Sequence, residues 1–344
     1  MSYDVEALRR REFPWAAAGE TIFLNNASTG PLPERTIRVT EEWAQLRANP
    51  QRVDADLQFG TLAKSRELIA RLVGAQTGEI AVATNTTYGL NLAAFSLPLK
   101  EGDVVLSPDF EFPANVYPWM ALAERRGVEY RQIVCDEGVL DPARLLRELE
   151  DERIRAVTVS WVQFASGARV DLDALGSICR ERGVFFVVDA IQGVGPLVLD
   201  LSTTHVDILA CGAQKWLLSP WGSGFVYVRK ALIETLEPYD VSWLAVRNAD
   251  DFSRLVDYDF TWRSDARKYE FVTLPYQDMA GMNASLELIH ELGADAVSEH
   301  ALSLAQVIVD WTCDRDDVDL VTPRDAPRRA AVISVRPRDP RAAS

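Results

Sequence analysis

Near the middle of the chain the sequence reads Val184-Phe185-Phe186-Val187-Val188-Asp189-Ala190-Ile191-Gln192. Five successive apolar residues without polar alternation are typical of a strand that is covered on both faces, as in a parallel sheet. Asp189 ends this run and is therefore expected at the carboxyl edge of the sheet, where open α/β sheets bind ligands. An ionised carboxylate at that edge needs a cationic partner. A solvated strand end or a helix N-cap is the alternative interpretation.

Similar apolar runs lie on both sides of this stretch and alternate with amphipathic segments. They predict strands at Asp103–Ser107, Tyr130–Val134, Ala156–Val162, Val184–Asp189, Asp207–Ala210 and Gly224–Arg229. Helices are predicted between them at Leu90–Phe95, Ala114–Arg126, Pro142–Glu150 and Leu172–Arg182. This order predicts an α/β domain with a mostly parallel sheet between helices. From about Leu255 a connecting segment and one long helix, Met279–Trp311, indicate a separate, smaller domain.

The charge of the chain limits its partners. Its 344 residues include 36 Lys and Arg against 51 Asp and Glu, a net charge of −15. An acidic surface argues against a general polyanion-binding protein, so neither nucleic acid nor a membrane surface is an expected partner. No apolar stretch is long enough to span a bilayer, and Met1–Arg11 lacks the apolar core of a secretory signal. We therefore expect a cytoplasmic protein.

Metal and serine-hydrolase chemistry find no support in the sequence. The histidines and cysteines are scattered without paired spacing, at His205, His290, His300, Cys135, Cys179, Cys211 and Cys313. A metal site would need such residues in a cluster, so none is expected. No Gly-x-Ser-x-Gly sequence is present to form a nucleophile elbow.

A hydroxyl-rich stretch offers a site for an anion. The apolar residues of Ile80–Ala83 lead into Thr84-Asn85-Thr86-Thr87-Tyr88-Gly89-Leu90-Asn91, where a helix is expected to begin. Thr86 and Thr87 then lie at a helix N-terminus, whose free N–H groups and positive dipole end favour an anion. An ordinary threonine N-cap is the alternative.

The third stretch contains a lysine in apolar surroundings, Ala210-Cys211-Gly212-Ala213-Gln214-Lys215-Trp216-Leu217-Leu218. Lysine is scarce in this chain, which has only Lys64, Lys100, Lys215, Lys230 and Lys268. Lys215 follows a predicted strand, and a partly desolvated amine there is a nucleophile that condenses with carbonyl groups. The alternative is a lysine that extends its amine to solvent along an apolar surface.

An anion site, a strand-end carboxylate and a lysine after a later strand together match the needs of pyridoxal 5′-phosphate. At these motifs the sequence resembles the class V aminotransferase family of fold-type-I pyridoxal-phosphate enzymes, which includes cysteine desulfurases, selenocysteine lyases and isopenicillin N epimerases. The resemblance extends from about Thr21 to Val335. It begins with Phe23-Leu24-Asn25-Asn26-Ala27-Ser28, which is similar to an early Leu-Asp-Asn-Ala segment of the family.

The resemblance implies a fold and a domain organisation. We expect an N-terminal segment over residues 1–20 and a large cofactor-binding domain over 21–253. A connecting segment and a small α+β domain follow over 254–344. This small domain is expected to be incomplete, because family members continue beyond the segment that resembles Arg329–Val335, and the missing part carries the arginine that binds the substrate carboxylate.

The resemblance also implies roles for the residues around the cofactor. Lys215 matches the lysine that forms the Schiff base and moves the Cα proton. Asp189 matches the carboxylate that keeps the pyridine nitrogen protonated, and Gln192 matches the residue that hydrogen-bonds the 3-oxygen of the ring.

Three further residues correspond to the phosphate-binding site of the family. Thr86 and Thr87 match its helix N-terminus. Gln214 stands where many relatives have a histidine that contacts the phosphate, and an amide can donate the same hydrogen bond without a charge.

Two segments depart from the family pattern. Glu111-Phe112-Pro113-Ala114-Asn115 resembles the Glu-His-His-Ala-Asn segment of cysteine desulfurases, but Phe112 replaces the histidine that stacks on the cofactor. A phenyl ring can stack but cannot move protons; the alternative is that Phe112 belongs to the core. Tyr269-Glu270-Phe271-Val272-Thr273 resembles Phe-Glu-x-Gly-Thr, whose threonine reaches the phosphate of the neighbouring subunit, but Val272 replaces the glycine. Thr273 therefore implies a homodimer with shared active sites.

The function expected from the resemblance is a reaction at Cα or Cβ of an amino acid substrate. A C–S lyase or an epimerase is favoured, because Phe112 replaces the histidine and no cysteine lies where desulfurases carry their persulfide. An aminotransferase, which transfers the amino group to a keto acid, is the first alternative. A non-catalytic scaffold that binds pyridoxal phosphate without a carboxylate clamp is the second.

Overall fold

The computed structural model describes residues 3–339 and 341. Its α-helices are α1 Val5–Glu12, α2 Pro14–Ala17, α3 Glu34–Arg47, α4 Ala55–Val73, α5 Thr86–Ser96, α6 Tyr117–Arg126, α7 Pro142–Glu148, α8 Leu172–Arg182, α9 Lys230–Ile233, α10 Tyr276–Leu292 and α11 Ala294–Cys313. Its strands are β1 Ile80–Ala83, β2 Val104–Pro108, β3 Glu129–Ile133, β4 Ile154–Ser160, β5 Phe185–Asp189, β6 Ile208–Gly212, β7 Gly224–Val228, β8 Val318–Leu320 and β9 Val335–Pro337.

Seven of these strands form one mostly parallel sheet in the order β1-β7-β6-β5-β4-β2-β3. Only β7 runs against its neighbours, and the remaining pairs are parallel. The α/β class is confirmed, and each of the six predicted strands forms within two residues of its expected bounds. The edge strand β1 was expected only as an apolar lead into a helix.

Burial on both faces explains the unbroken apolar run of β5. Phe186 and Val188 belong to the core on one side of the sheet, whereas Val187 belongs to the core on the other side. Successive strand residues point to opposite faces, so both faces need apolar side chains when helices cover both. The strand is thereby fixed, and Asp189 is held at its carboxyl end.

The prediction of one long helix over Met279–Trp311 is wrong. The structure has two helices, α10 and α11, which meet at Gly293. Gly293 adopts a φ of 86°, which only glycine tolerates readily, and the helical path is interrupted there. The residue contributes little to a hydrophobic periodicity, so the apolar pattern continues across the break.

Beyond α11, the short strands β8 and β9 pair in an antiparallel two-stranded sheet. A helix followed by an antiparallel pair is compatible with a small α+β unit at this end of the chain. The division into residues 1–20, 21–253 and 254–344 stays a prediction.

Candidate active site

The ends of three neighbouring strands bring the predicted residues together. Asp189 ends β5 and is paired in register with Ser160, the last residue of β4. On the other side, β6 ends at Gly212, and Lys215 follows three residues later. The carboxyl edge of the sheet therefore carries both the carboxylate and the lysine, as the sequence predicted.

Asp189 is a buried carboxylate, only 3% exposed. Its Oδ1 accepts a hydrogen bond from the backbone N–H of Ile191 at 3.1 Å. Burial raises the pKa of Asp189 to about 6, although the Ile191 N–H and the charge of Lys215 act in the opposite direction. A solvated strand end is thus excluded, and the carboxylate lacks the surroundings that normally stabilise its charge.

Lys215 is half-buried on the turn after β6. Burial lowers the pKa of its amine, while Asp189 and Cys211 act to raise it. A lowered pKa increases the fraction of neutral amine, which is the form that attacks a carbonyl carbon. The Nζ atom lies 5.7 Å from the centre of the Phe112 ring.

The chain at Gly30 packs directly on the turn that carries Lys215. The backbone N–H of Gly30 donates to the carbonyl oxygen of Gln214 at 2.9 Å. A Cβ atom at Gly30 would lie 2.0 Å from the carbonyl oxygen of Lys215, so only glycine permits this approach. The residues just after Phe23–Ser28 thus lie against Lys215, the lysine predicted to form the Schiff base.

The first turn of α5 faces the end of β6. Asn85 is the N-cap, and its side chain accepts from the Tyr88 N–H at 2.9 Å, so the threonine N-cap alternative is wrong. Thr86 is buried, and its hydroxyl oxygen accepts from the Gly212 N–H at 2.8 Å. Thr87 is exposed. Both threonines occupy the first helical turn, where backbone N–H groups lack intrahelical partners and favour an anion.

Gln192 connects two segments of the site. Its Nε2 donates to the Ala27 carbonyl at 2.9 Å, and its Oε1 accepts from the Trp216 indole N–H at 2.8 Å. The amide is therefore oriented, and one N–H of its Nε2 remains for a ligand. Gln214 is partly exposed beside Gly212, with its side-chain oxygen directed toward that glycine.

Phe112 and Thr273 are both exposed, in different parts of the molecule. Phe112 is 46% exposed and meets Phe164 edge to face, with ring centres 5.3 Å apart. The interpretation of Phe112 as a core residue is therefore wrong. Thr273 follows Glu270 on an exposed segment, and no contact described for residues 3–339 joins it to Lys215 or Asp189.

Sequence reasoning missed the side chain beside Phe112. Glu111 is 6% exposed, and its carboxylate is held by hydrogen bonds from Asn115, Ser160 and Gln163. The available signal was the spacing of Glu111 and Asn115 in the quoted motif, four residues apart. The partners at the end of β4 and just beyond it, Ser160 and Gln163, could not be found from that spacing.

Within residues 3–339 and 341, no three His, Cys, Asp or Glu side chains stand together as a metal site requires. In the same residues, no helix is long and apolar enough to cross a membrane.

The family model of aminotransferase class V matches residues 22–342. This chain belongs to that family. It is 30% identical to a probable cysteine desulfurase of Methanothermobacter thermautotrophicus over 302 residues, which cover 86% of this chain and 73% of that protein. It is 36% identical to the isopenicillin N epimerase of Streptomyces clavuligerus over 224 residues, 64% of this chain and 56% of the epimerase.

Solved structures show the same fold. The apo cysteine desulfurase of Thermococcus onnurineus superposes with a TM-score of 0.85 at 22% identity, covering 98% of this chain and 84% of that one. A cystine C–S lyase in complex with its product cysteine persulfide superposes with a TM-score of 0.86 at 23% identity. The match covers 95% of this chain and 86% of that one. The recognition made from the motifs is confirmed, and with it the class of pyridoxal-phosphate enzymes.

The residues present fit pyridoxal 5′-phosphate. A carboxylate has about four acceptor sites, and the hydrogen bonds described for residues 3–339 and 341 give Asp189 one donor, the Ile191 N–H. A protonated ring nitrogen would supply the missing cation. The start of α5 offers N–H groups and the Thr86 hydroxyl to a phosphate, and Lys215 supplies an amine of lowered pKa.

Proposed function

We propose that this chain uses pyridoxal 5′-phosphate, bound through Lys215, to catalyse a reaction at Cα or Cβ of an amino acid, with C–S lyase or epimerase chemistry favoured. The observation that carries the proposal is the common edge on which buried Asp189 and the amine of Lys215 lie. When bound, the cofactor supplies an electron sink for charge that develops at the substrate carbon.

Each residue of the candidate site has a task in this proposal. Asp189 accepts a hydrogen bond from the protonated ring nitrogen and keeps it protonated. Gln192 orients the ring through its remaining N–H, and Thr86 and Thr87 bind the phosphate with the N-terminus of α5. Lys215 Nζ removes or returns the proton at the substrate carbon, a role that its lowered pKa favours.

The surroundings of Lys215 support a lyase or an epimerase over a desulfurase mechanism that needs a histidine and a persulfide. Phe112 is the ring beside the amine, and it has no proton to donate. Burial raises the pKa of the Cys135 thiol to about 11, and burial also raises the pKa of Cys179 and Cys211. These three thiols are poor nucleophiles at neutral pH. Cys313 lies at the end of α11.

The reaction type is tested by adding a panel of amino acids to the purified protein and following its visible absorption and products. Release of pyruvate and ammonia from a sulfur amino acid would support β-elimination, and loss of optical activity without release would support epimerisation. Accumulation of pyridoxamine phosphate would contradict both and identify an aminotransferase. A bound cofactor whose absorption responds to no amino acid would identify a scaffold.

We also infer a homodimer with shared active sites. Large aromatic side chains are exposed at Trp221, Tyr258 and Phe260, and the segment 241–260 lines a groove of about 680 Å³. Exposed apolar patches of this kind mark association surfaces. Sedimentation equilibrium is expected to give twice the chain mass, and Thr273→Val is expected to weaken cofactor binding about threefold through the lost phosphate contact. A fully active monomer would contradict the shared site.

A further inference from the structure

Glu111 lies next to Phe112 and is surrounded by donors. Its Oε1 accepts from the backbone N–H of Ser160 at 2.8 Å and from Gln163 Nε2 at 3.0 Å. Its Oε2 accepts from the Ser160 hydroxyl at 2.5 Å and from Asn115 Nδ2 at 2.9 Å. Four donors occupy the acceptor sites of a carboxylate, so the group is fully hydrogen-bonded although it is buried.

These hydrogen bonds join elements that meet at the active site. Ser160 is the last residue of β4 and is paired with Asp189 in β5. Asn115 precedes α6, and its Oδ1 also accepts from Thr158 in β4 at 2.6 Å. Glu111 thus fixes the segment that carries Phe112 to the strand that lies beside Asp189.

The charge at this position is unusual for a purely structural residue. None of the four donors is a cation, and burial raises the pKa of Glu111 to about 7, with the charge of Asp189 adding to the effect. A buried carboxylate without a cation is unfavourable for stability. Groups of this kind occur preferentially where they position or tune a functional site.

We propose that Glu111 is a positioning residue of the active site, which holds the Phe112 ring and the end of β4 in place beside Asp189 and thereby sets the affinity and absorption of the bound cofactor. The proposal rests on the proposed function only in requiring that pyridoxal phosphate binds at Lys215. It assigns no contact between Glu111 and the substrate.

The test compares Glu111→Gln with Glu12→Gln in the holoenzyme. The amide has the same shape, but its NH2 group faces donors and cannot accept from them. We expect the dissociation constant for pyridoxal phosphate to rise about tenfold. We also expect the pH midpoint of the cofactor absorption to shift. Glu12 is also buried and accepts from Arg11 and Arg35, and no hydrogen bond described for residues 3–339 joins it to β4, β5 or Phe112. Its variant is expected to lower thermal stability while leaving affinity and absorption unchanged.

A milder variant guards against misfolding of Glu111→Gln. Ser160→Ala removes the Ser160 hydroxyl, one of the four donors to Glu111. The dissociation constant for pyridoxal phosphate is expected to rise about threefold, and the pH midpoint of the absorption to shift in the same direction as in Glu111→Gln. If both variants bind the cofactor with wild-type affinity and wild-type absorption, the role of Glu111 is refuted while the proposed function stands. Failure of the wild-type protein to bind pyridoxal phosphate at all would instead refute the proposed function.

Discussion

Buried carboxylates at the two ends of the sheet differ in their partners. At the amino end, Asp207 accepts from Nε and Nη2 of Arg229 and from the Phe186 N–H. Burial acts to raise its pKa, but the His205 ring 3.7 Å away, the Phe186 N–H and Arg229 leave it lowered. At the carboxyl end, the hydrogen bonds described for residues 3–339 and 341 give Asp189 no cationic donor, and its pKa is raised to about 6. The paired carboxylate stabilises the fold, whereas the unpaired one is available for a ligand.

Replacing each aspartate by asparagine should separate activity from stability. Asp189→Asn removes the partner of the ring nitrogen, so turnover is expected to fall by about 10²- to 10³-fold. Asp207→Asn should leave turnover within about twofold and lower the free energy of unfolding by about 2–3 kcal/mol, because Arg229 loses its partner. Steady-state kinetics and urea unfolding of both variants check this. Equal losses of turnover would remove the distinction between the two ends.

In the cofactor-free protein, Asp189→Asn is expected to change stability in the direction opposite to Asp207→Asn. Because the folded-state pKa of Asp189, about 6, exceeds the ordinary value of about 3.9, the folded chain retains a proton that the unfolded chain has released. The contribution of Asp189 to stability therefore falls as pH rises from about 4 to 6. Above this window, Asp189→Asn should stabilise the cofactor-free protein by about 3 kcal/mol, since a difference of about two pKa units corresponds to that free energy. A variant that is less stable than wild type at pH 8 would contradict the account.

The lowered pKa of Asp207 gives the reverse dependence. The contribution of Asp207 to stability is fully present above the ordinary pKa of an aspartate. It is lost as pH falls through the lowered pKa of the folded state. Urea unfolding between pH 3 and pH 8 should therefore show the difference between wild type and Asp207→Asn decrease toward the acidic end. A difference that is independent of pH would argue against the Arg229 pairing as its source.

The parts of the fold that the sequence predicted are those with strong local signals. β5 has no polar residue before Asp189, and Lys215 is one of only five lysines, so both were identified without a structure. The break at Gly293 was missed because one glycine hardly alters an apolar periodicity. The Glu111 partners Ser160 and Gln163 depend on tertiary contacts between segments about fifty residues apart, which no local pattern records.

Lys215 supports the most direct test of the central claim. The cofactor-free protein and Lys215→Ala would be titrated with pyridoxal phosphate, reduced with borohydride and mapped by mass spectrometry. With only five lysines in the chain, each site of attachment gives a distinct peptide. We predict a visible absorption band in the wild type, a reduced adduct on Lys215, and neither covalent adduct nor turnover in the variant. An adduct on another lysine, or a wild-type protein that binds no cofactor, would contradict the account.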